Sequence, residues 1–313
     1  MTRRNALQGL MAIGVTAGLK GSDANAAAPS MPIIDTHQHL WDLSKQRLAW
    51  IGSAPGLNHD ALPSDYAKAT EGLNVVKAVY MEVDVIPAQQ VEEAESVLAL
   101  IRRKKSPTVA AVISGRPNSD GFSAYLKRFK ESPEIKGVRQ VLHSPDTPAG
   151  YCLDTAFVRG IQALGKVGLM FDLCVRAAEL VDAAKLIDSC PDTSFILDHC
   201  GNADVLAKDR RGWKADIAEV AKRKNVVCKV SGIVASTKGE PWTPDDLAPI
   251  VNHVLDVFGP DRVMFGGDWP VCTLGATYKQ WVEALRAIVK NRPDVEQRKL
   301  FHDNAVRVYG LDA

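Results

Sequence analysis

A single-domain (β/α)8 barrel of the α/β class is the fold that this sequence predicts. Short runs rich in Val, Ile and Leu alternate with segments of helical periodicity, a pattern typical of a parallel sheet buried on both faces. Eight such runs fall within about 280 residues, the usual size of a (β/α)8 barrel. A doubly wound open sheet is the alternative, but the chain has neither a G-x-G-x-x-G loop nor a Walker motif.

The elements follow one another regularly after residue 30. The predicted strands are 33–39, 75–82, 108–114, 136–143, 168–174, 194–199, 226–231 and 262–268. Helical patterns lie between them, for example at 89–104, 154–166, 179–189 and 277–290. Two long segments without periodicity, 41–70 and 232–245, follow the first and seventh strands. We expect them to form loops at the catalytic mouth of the barrel.

The first 30 residues do not fit the barrel pattern. A twin arginine, Arg3 and Arg4, precedes an apolar run shorter than the ~20 residues needed to span a bilayer. Ala24-Asn25-Ala26 then has the form of a signal-peptide cleavage site. We expect residues 1–30 to be a twin-arginine signal peptide cleaved near 26/27, and 31–313 to be a periplasmic or otherwise exported domain. An apolar N-terminal helix with incidental arginines is the alternative.

The composition is ordinary for a soluble enzyme, with 46% hydrophobic and 24% charged residues. A net charge of +1 gives no basic footprint for nucleic acid or for a membrane surface. We therefore expect a small-molecule substrate, no nucleic acid and no membrane span in the mature chain; a homo-oligomer is compatible with the sequence. None of the six cysteines forms a C-x-x-C motif. An even count would permit disulfides, but we expect buried free thiols.

Two histidines, His37 and His39, close the first predicted strand. Because side chains alternate along a strand, the two imidazoles point to the same side. If that side is the barrel interior, two neutral imidazoles can bind one metal ion. An H-x-H pair is by itself equally compatible with a structural role.

The other strands also end in polar residues. The inward positions at their C-terminal ends are predicted to be Glu82, Arg139, His143, Asp172, His199 and Asp268. His199 is assigned inward because it shares the phase of Phe195 and Leu197. Asp268 is assigned inward because it shares the phase of Met264. Burying such groups without partners or a task costs several kcal/mol, so we expect them to converge on one site.

Four motifs resemble a known family: DTHQHLWD at 35–42, LDHCG at 197–201, FGPDRVMFGGDWPV at 258–271 and FHDNAVRVYGL at 301–311. Together they resemble the amidohydrolase superfamily, and are similar to its branch of sugar-acid lactonases and 2-pyrone-4,6-dicarboxylate lactonase. The resemblance covers nearly all of 31–313. It implies hydrolysis of a lactone or related ring, with metal ligands at the positions His37, His39, His199 and Asp268.

The sequence departs from the full superfamily pattern in two places. The fourth strand offers no bridging lysine, and the fifth offers Asp172 and Cys174 where the family has a histidine. We therefore do not expect a two-metal centre. One divalent ion, zinc or manganese, is expected; the alternative is catalysis without metal, as in the pyrone lactonases.

Lactone hydrolysis needs an activated water, a polarised carbonyl and a protonated leaving alkoxide. Asp268 is the predicted general base, with His199 as the second catalytic residue. The metal, or the cluster of histidines itself, would polarise the carbonyl. The residues predicted to bind substrate are Glu82, Arg139, His143, Trp41 and Trp269. Glu82 could instead bind the metal, and Arg139 could instead pair with Asp172.

The same residues bear on three other function classes. The absence of a G-x-S-x-G elbow disfavours a serine nucleophile. A metal-dependent decarboxylase on the same barrel would act on carboxylated aromatics instead of lactones. A non-catalytic exported binding protein would leave the polar strand ends scattered instead of gathered around one pocket.

Overall fold

The structure, a computed structural model, describes residues 31–312, so the expected signal peptide lies outside the described residues. Eight parallel strands form one sheet in chain order, which confirms the predicted barrel. The strands are β1 Ile33–Gln38, β2 Val75–Met81, β3 Thr108–Ser114, β4 Ile135–Val141, β5 Met170–Cys174, β6 Phe195–Leu197, β7 Val226–Val230 and β8 Val263–Phe265.

Helices connect the strands and cover the outside of the sheet. Their bounds are Pro63–Ala69, Gln90–Arg102, Phe122–Arg128, Thr155–Lys166, Leu180–Ser189, Arg211–Ala221, Pro244–Phe258, Tyr278–Val289, Asp294–Arg298 and Asn304–Tyr309. Local sequence sets their starts. The Asp154 carboxylate, for example, accepts the backbone N–H groups of Ala156 and Phe157, which caps the helix that follows. That helix buries Phe157, Ile161 and Leu164 on one face, the spacing of an amphipathic helix.

The first and last strands close the barrel through the residues just beyond their ends. The His39 N–H donates to the Trp269 carbonyl at 2.8 Å, and the Asp268 N–H donates to the His37 carbonyl at 2.8 Å. Closure therefore places the end of β1, with its two histidines, directly beside Asp268.

Alternate strand residues fill the barrel interior with a compact apolar cluster. Its strand members are Ile34, Val79, Met81, Ala110, Val112, Met170, Ile196 and Met264. Ala305 and Tyr309 of the C-terminal helix belong to the same cluster. The remaining strand residues pack outward in a larger cluster shared with the helices. These apolar residues thus fix the strands inside the barrel, and the polar residues that follow them along the strands are positioned at the strand ends.

Within residues 31–312, no helix is long and apolar enough to cross a membrane. The prediction about the cysteines is confirmed. All six of them lie in this range, where they are buried and unpaired: Cys152, Cys174, Cys190, Cys200, Cys228 and Cys272.

Asp35 ties the barrel seam to two helices, and its loss is expected to be severely destabilising. Its Oδ1 accepts the N–H groups of His37 (2.9 Å) and Gly267 (2.7 Å), and its Oδ2 accepts the hydroxyls of Tyr66 and Tyr278. Asp35→Ala leaves four buried donors without this acceptor, each worth about 1–3 kcal/mol. We expect a loss of about 3 kcal/mol or more in the free energy of unfolding, measured by urea titration.

The matched control is Asp209→Ala, which removes an exposed carboxylate paired only with nearby Arg211. It should leave the unfolding midpoint unchanged. An Asp35→Ala midpoint equal to that of the control would show that the seam does not depend on this carboxylate.

Candidate active site

A pocket of about 590 Å³ opens at the C-terminal ends of the strands. His39, Arg139, His199 and Asp268 line it. Apolar side chains form much of its wall: Trp41, Trp50, Leu57, Val83, Val141, Pro145, Val271 and Leu274. The loop segments 41–70 and 232–245 both contribute to the lining, as their position in the sequence predicts. The polar strand ends therefore do converge on one pocket.

The β1 histidines lie side by side, with ring centroids 4.9 Å apart. Strict alternation from Ile34, which faces the interior, would send His37 outward. A register shift between Asp35 and Gln38 turns the strand, and such irregularities commonly re-aim a side chain near a site. Burial lowers the pKa of His37 well below its ordinary value and lowers the pKa of His39 to about 3. Both imidazoles are therefore neutral, the form that binds metal.

Asp268 follows β8 with a left-handed backbone (φ 55°), a conformation that Asp and Asn tolerate better than other side chains. Its Oδ1 lies 3.6 Å from Nε2 of His37 and 3.4 Å from Nε2 of His39. Burial raises the pKa of this carboxyl to about 6. The sequence placed Asp268 beside the histidine pair, and the structure brings the three residues together.

His199 reaches the pocket, but not for the predicted reason. Phe195 and Leu197 pack outward against the helices, whereas Ile196 lies in the interior cluster. The phase assigned to His199 was therefore wrong. It enters because the chain turns left-handed over 199–202, where all four φ angles are positive.

Two neighbours hold the His199 ring. Its Nδ1 contacts Ser231 Oγ at 3.0 Å, and its centroid lies 4.5 Å from that of His37. Gly232 makes room for it, because a Cβ at that position would meet His199 Nδ1 at 2.3 Å. Burial lowers the pKa of His199, so this imidazole is also neutral.

Arg139 is held by Glu82, so the ion pair with Asp172, the alternative to substrate binding, does not form. The Arg139 Nε donates to Glu82 Oε1 at 2.6 Å, and its Nη2 donates to the Glu82 carbonyl at 2.8 Å. Its Nη1 lies 3.2 Å from His37 Nε2. All three guanidinium nitrogens therefore face protein groups. Glu82 itself is fully buried and is not among the residues that line the pocket.

The remaining predicted substrate residues separate into two groups. His143 and Trp41 line the pocket, and the indole of Trp41 is fixed by a hydrogen bond from Nε1 to the His59 carbonyl. Trp269 is buried and packs edge-on against Tyr66, with ring centroids 5.6 Å apart, and is not part of the lining.

Sequence reasoning missed two charged residues that lie beneath the pocket, Asp198 and Lys229, both fully buried. Lys229 Nζ donates to Asp172 Oδ2 at 2.6 Å and lies 3.3 Å from Asp198 Oδ1. Burial alone would lower the pKa of Lys229, but the two carboxylates raise it above its ordinary value, so the ammonium stays charged. Correct alternation would have found both: Asp198 follows Ile196 by two residues, and Lys229 is the one charge in an apolar strand.

Asp198 carries its own charge in this network. Burial alone would raise its pKa, but Lys229 and His37 beside it lower the pKa well below its ordinary value. Its Oδ1 lies 3.5 Å from His37 Nδ1, and its Oδ2 lies 3.5 Å from Arg139 Nη1. Asp198 thus faces the side of His37 opposite to Asp268.

The donor set around His37 and His39 fits a divalent metal. The separations of 3.4 and 3.6 Å from Asp268 Oδ1 are too long for hydrogen bonds. They agree with the roughly 3.4 Å between two ligands that each lie 2.0–2.1 Å from a tetrahedral ion. Nδ1 of His39 donates to the Met81 carbonyl at 3.0 Å, which leaves Nε2 with its lone pair free.

The balance of charge points the same way. Among the described residues of this network, four carboxylates (Glu82, Asp172, Asp198 and Asp268) are buried together with two cations, Arg139 and Lys229. Burial raises the pKa of Asp172 to about 7 and that of Asp268 to about 6, so a cation bound beside them would favour their ionised forms. Buried charge without compensation is costly, so the residues present are suited to holding such an ion.

Comparisons with known proteins agree with this geometry. The chain is 28% identical to an L-fucono-1,5-lactonase of Burkholderia multivorans over 89% of its own length and 96% of the relative. It is 22% identical to an L-rhamnono-gamma-lactonase of Scheffersomyces stipitis, over 89% and 98% of the two chains. A crystal structure of an amidohydrolase from Burkholderia multivorans with bound zinc superimposes with a TM-score of 0.81. That match has 25% identity and covers 90% of this chain and all of the other.

The sequence match to the family spans the whole barrel. Residues 34–311 match the amidohydrolase family, from β1 to the end of the C-terminal helix. The match includes all the residues of the charged network and of the histidine cluster. The chain therefore belongs to the amidohydrolase family.

Proposed function

We propose that this protein is a hydrolase that opens the lactone ring of a sugar acid. The observation that carries the proposal is the buried Asp268 carboxylate, 3.4–3.6 Å from two neutral histidines at the floor of a pocket large enough for a sugar ring. Two relatives that align over nearly their full length are named as lactonases, which supports the same reaction class.

We propose one zinc or manganese ion at this site. His37, His39 and Asp268 would hold it, with His199 beside them. When bound, it would supply Lewis acidity toward the substrate carbonyl. Nitrogen and oxygen donors without thiolate suit either metal, and a solved relative contains zinc.

Asp268 would move the proton in the reaction. Its carboxylate takes a proton from a water molecule in the pocket, and the water oxygen bonds to the lactone carbonyl carbon. The ring C–O bond then breaks, and Asp268 returns the proton to the leaving oxygen. The His199 ring is neutral and is fixed by its contact with Ser231. From its position beside the His37 ring, His199 would orient the substrate carbonyl.

The pocket favours an uncharged lactone. Among the described residues that line it, the cationic side chains are Arg139 and Lys238. Arg139 is held by Glu82 and His37, and Lys238 is exposed at the rim. With the proposed ion engaged by the lactone carbonyl, a second carboxylate at the floor would meet no other free cation, while the apolar wall suits the carbon faces of a sugar ring.

A panel of lactones tests the proposal directly. We expect neutral five- and six-membered sugar-acid lactones to be hydrolysed with kcat/KM at least 10-fold above that of lactones bearing an additional carboxylate. The physical reason is the unpaired, desolvated carboxylate that the second group would bury. The measurement is a pH-indicator assay of ring opening on metal-loaded protein. Carboxylated aromatics form the control group, and decarboxylation of these without lactone hydrolysis would replace the proposal with the decarboxylase alternative.

We also propose that residues 1–30 direct export through the twin-arginine route, on the sequence features alone. The mature chain should then begin near Ala27. The measurement is N-terminal sequencing of protein recovered from its native host, with Arg3→Lys/Arg4→Lys as the variant that should remain unprocessed. An intact N-terminus on native protein would contradict export.

A further inference from the structure

Two groups of side chains that could bind a metal lie at and directly beneath the floor of the pocket, and they share His37. One is His37, His39 and Asp268; the other is His37, Asp198 and His199. In each group, the donor atoms lie within 4.8 Å of one another, and all five residues are buried. Two ions at this site would therefore need His37 to bind one through each ring nitrogen, as an imidazolate that has given up its ring proton.

Lys229 lies against the second group. Its Nζ is 3.3 Å from Asp198 Oδ1 and 3.4 Å from His37 Nδ1, atoms of two of the three residues of that group. The third contact, 2.6 Å to Asp172 Oδ2, anchors the ammonium from below. An ion bound to Asp198 at about 2.1 Å would lie at most about 5.4 Å from this ammonium, where like charges in a buried site repel strongly.

The ammonium cannot withdraw from this position. Lys229 is fully buried. It belongs to β7, which pairs with β6 on one side and with β8 on the other. Its Nζ lies 5.9 Å from the ring centroid of Tyr309, on the helix that packs against the interior cluster. The lysine is therefore a permanent internal cation of the barrel.

We propose that the Lys229 ammonium takes the place of a second metal ion, so that this barrel holds one ion, at His37, His39 and Asp268. The inference rests on the metal site of the proposed function. It assigns Asp198 a positioning role: its carboxylate, neutralised by Lys229, faces Nδ1 of His37 and turns Nε2 toward Asp268. Arg139 Nη1, now 3.2 Å from that Nε2, would have to give up this contact when the ion binds. Neither Asp198 oxygen has a hydrogen bond of good geometry, so it is the nearby cations that hold this carboxylate.

Metal stoichiometry of the full protein tests the inference. Chelated protein is reloaded with excess zinc, freed of unbound ion by gel filtration, and measured by inductively coupled plasma mass spectrometry. We expect one zinc per chain in the wild type and about two in Lys229→Met, which keeps an unbranched side chain, shorter by one atom, and removes its charge. Lys238→Met, at the exposed rim, is the matched control and should bind one.

Manganese gives a second readout that does not depend on activity. Two adjacent Mn²⁺ ions couple magnetically, so the electron paramagnetic resonance spectrum of Lys229→Met should differ from the single-ion spectrum of the wild type. If Lys229→Met fails to fold, the double variant Lys229→Met/Asp172→Asn takes its place in the same measurement. The double variant removes both charges of the buried pair, so it leaves no unpaired carboxylate at position 172.

The outcomes separate the two proposals. Two ions in the wild type, or one ion in a folded variant without Lys229, would overturn the role of the lysine and leave the single metal site intact. No ion bound by the wild type would instead overturn the metal site itself, and the inference with it.

Discussion

Asp268→Asn is expected to lower kcat by about 10²-fold or more, the loss typical of a removed general base. The variant keeps the shape of the side chain and removes its basicity. Asn is also the substitution best suited to this backbone, since φ at position 268 is 55° and Asn tolerates the left-handed region. The hydrogen bond from the Asp268 N–H to the His37 carbonyl is unaffected, so the barrel seam should close as before.

The metal content of the same sample separates the two roles given to Asp268. A variant that retains its ion and loses turnover has lost the base. A variant that loses its ion has lost a ligand, and its turnover must then be measured at saturating metal. Asp209→Asn changes an exposed carboxylate that does not line the pocket; it serves as control and should keep the wild-type kcat. If Asp268→Asn stays within about threefold of the wild type under saturating metal, the base lies elsewhere.

The sequence was sufficient to predict the barrel because burial imposes a repeated pattern on parallel strands. Each predicted strand overlaps its observed counterpart, although β6 and β8 are shorter than predicted. The residues just beyond β8, Gly266 to Asp268, continue toward the pocket without strand pairing. Gly266 is needed there, because a Cβ would meet the Cβ atoms of His37 and Ser231 at under 3 Å. Close backbone approach of this kind leaves no periodic signal.

Alternation was less reliable at the strand ends, where the site lies. His37 faces inward because of a register shift, and His199 because of a left-handed turn; neither feature follows from the apolar pattern. The pairing of Arg139 depends on which strand ends meet across the barrel. Arg139 and Asp172 are neighbours in register, yet their charges are matched with Glu82 and Lys229 instead. Pair partners inside a barrel are set by three-dimensional closure, which the sequence pattern does not contain.

The charged network is not explained by the stability of the fold. Buried ion pairs are often no more stabilising than well-packed apolar residues of similar size. A barrel selected for stability alone would fill the interior positions of Arg139, Asp172, Asp198 and Lys229 with aliphatic side chains. Their presence around the histidine cluster indicates that they serve the site: Lys229, Asp198 and Arg139 contact His37 and hold it in place.

Removal of the metal is the second large effect we expect. Dialysis of the protein against a chelator should lower lactone hydrolysis by about 10³-fold or more, since Lewis-acid stabilisation of several kcal/mol corresponds to a factor of that size. Added zinc should restore the rate. His37→Ala should hold less than one ion per chain at zinc concentrations that saturate the wild type, because it removes the donor common to both groups. His253→Ala, on an outer helix and bonded to the Lys214 carbonyl, is the control and should bind a full ion.

The contrary result would be as informative about mechanism. If metal-free protein hydrolyses its lactone at the full rate, the carbonyl must be polarised by the chain itself. Arg139 Nη1 then becomes the strongest donor beside the histidines, because it lies 3.2 Å from His37 Nε2 and is the cation nearest to the reacting centre. In that case Arg139→Lys should abolish turnover in metal-free protein. In the metal-dependent enzyme, the same variant should act mainly by loosening Glu82 and His37, with loss of stability and of metal affinity before loss of kcat.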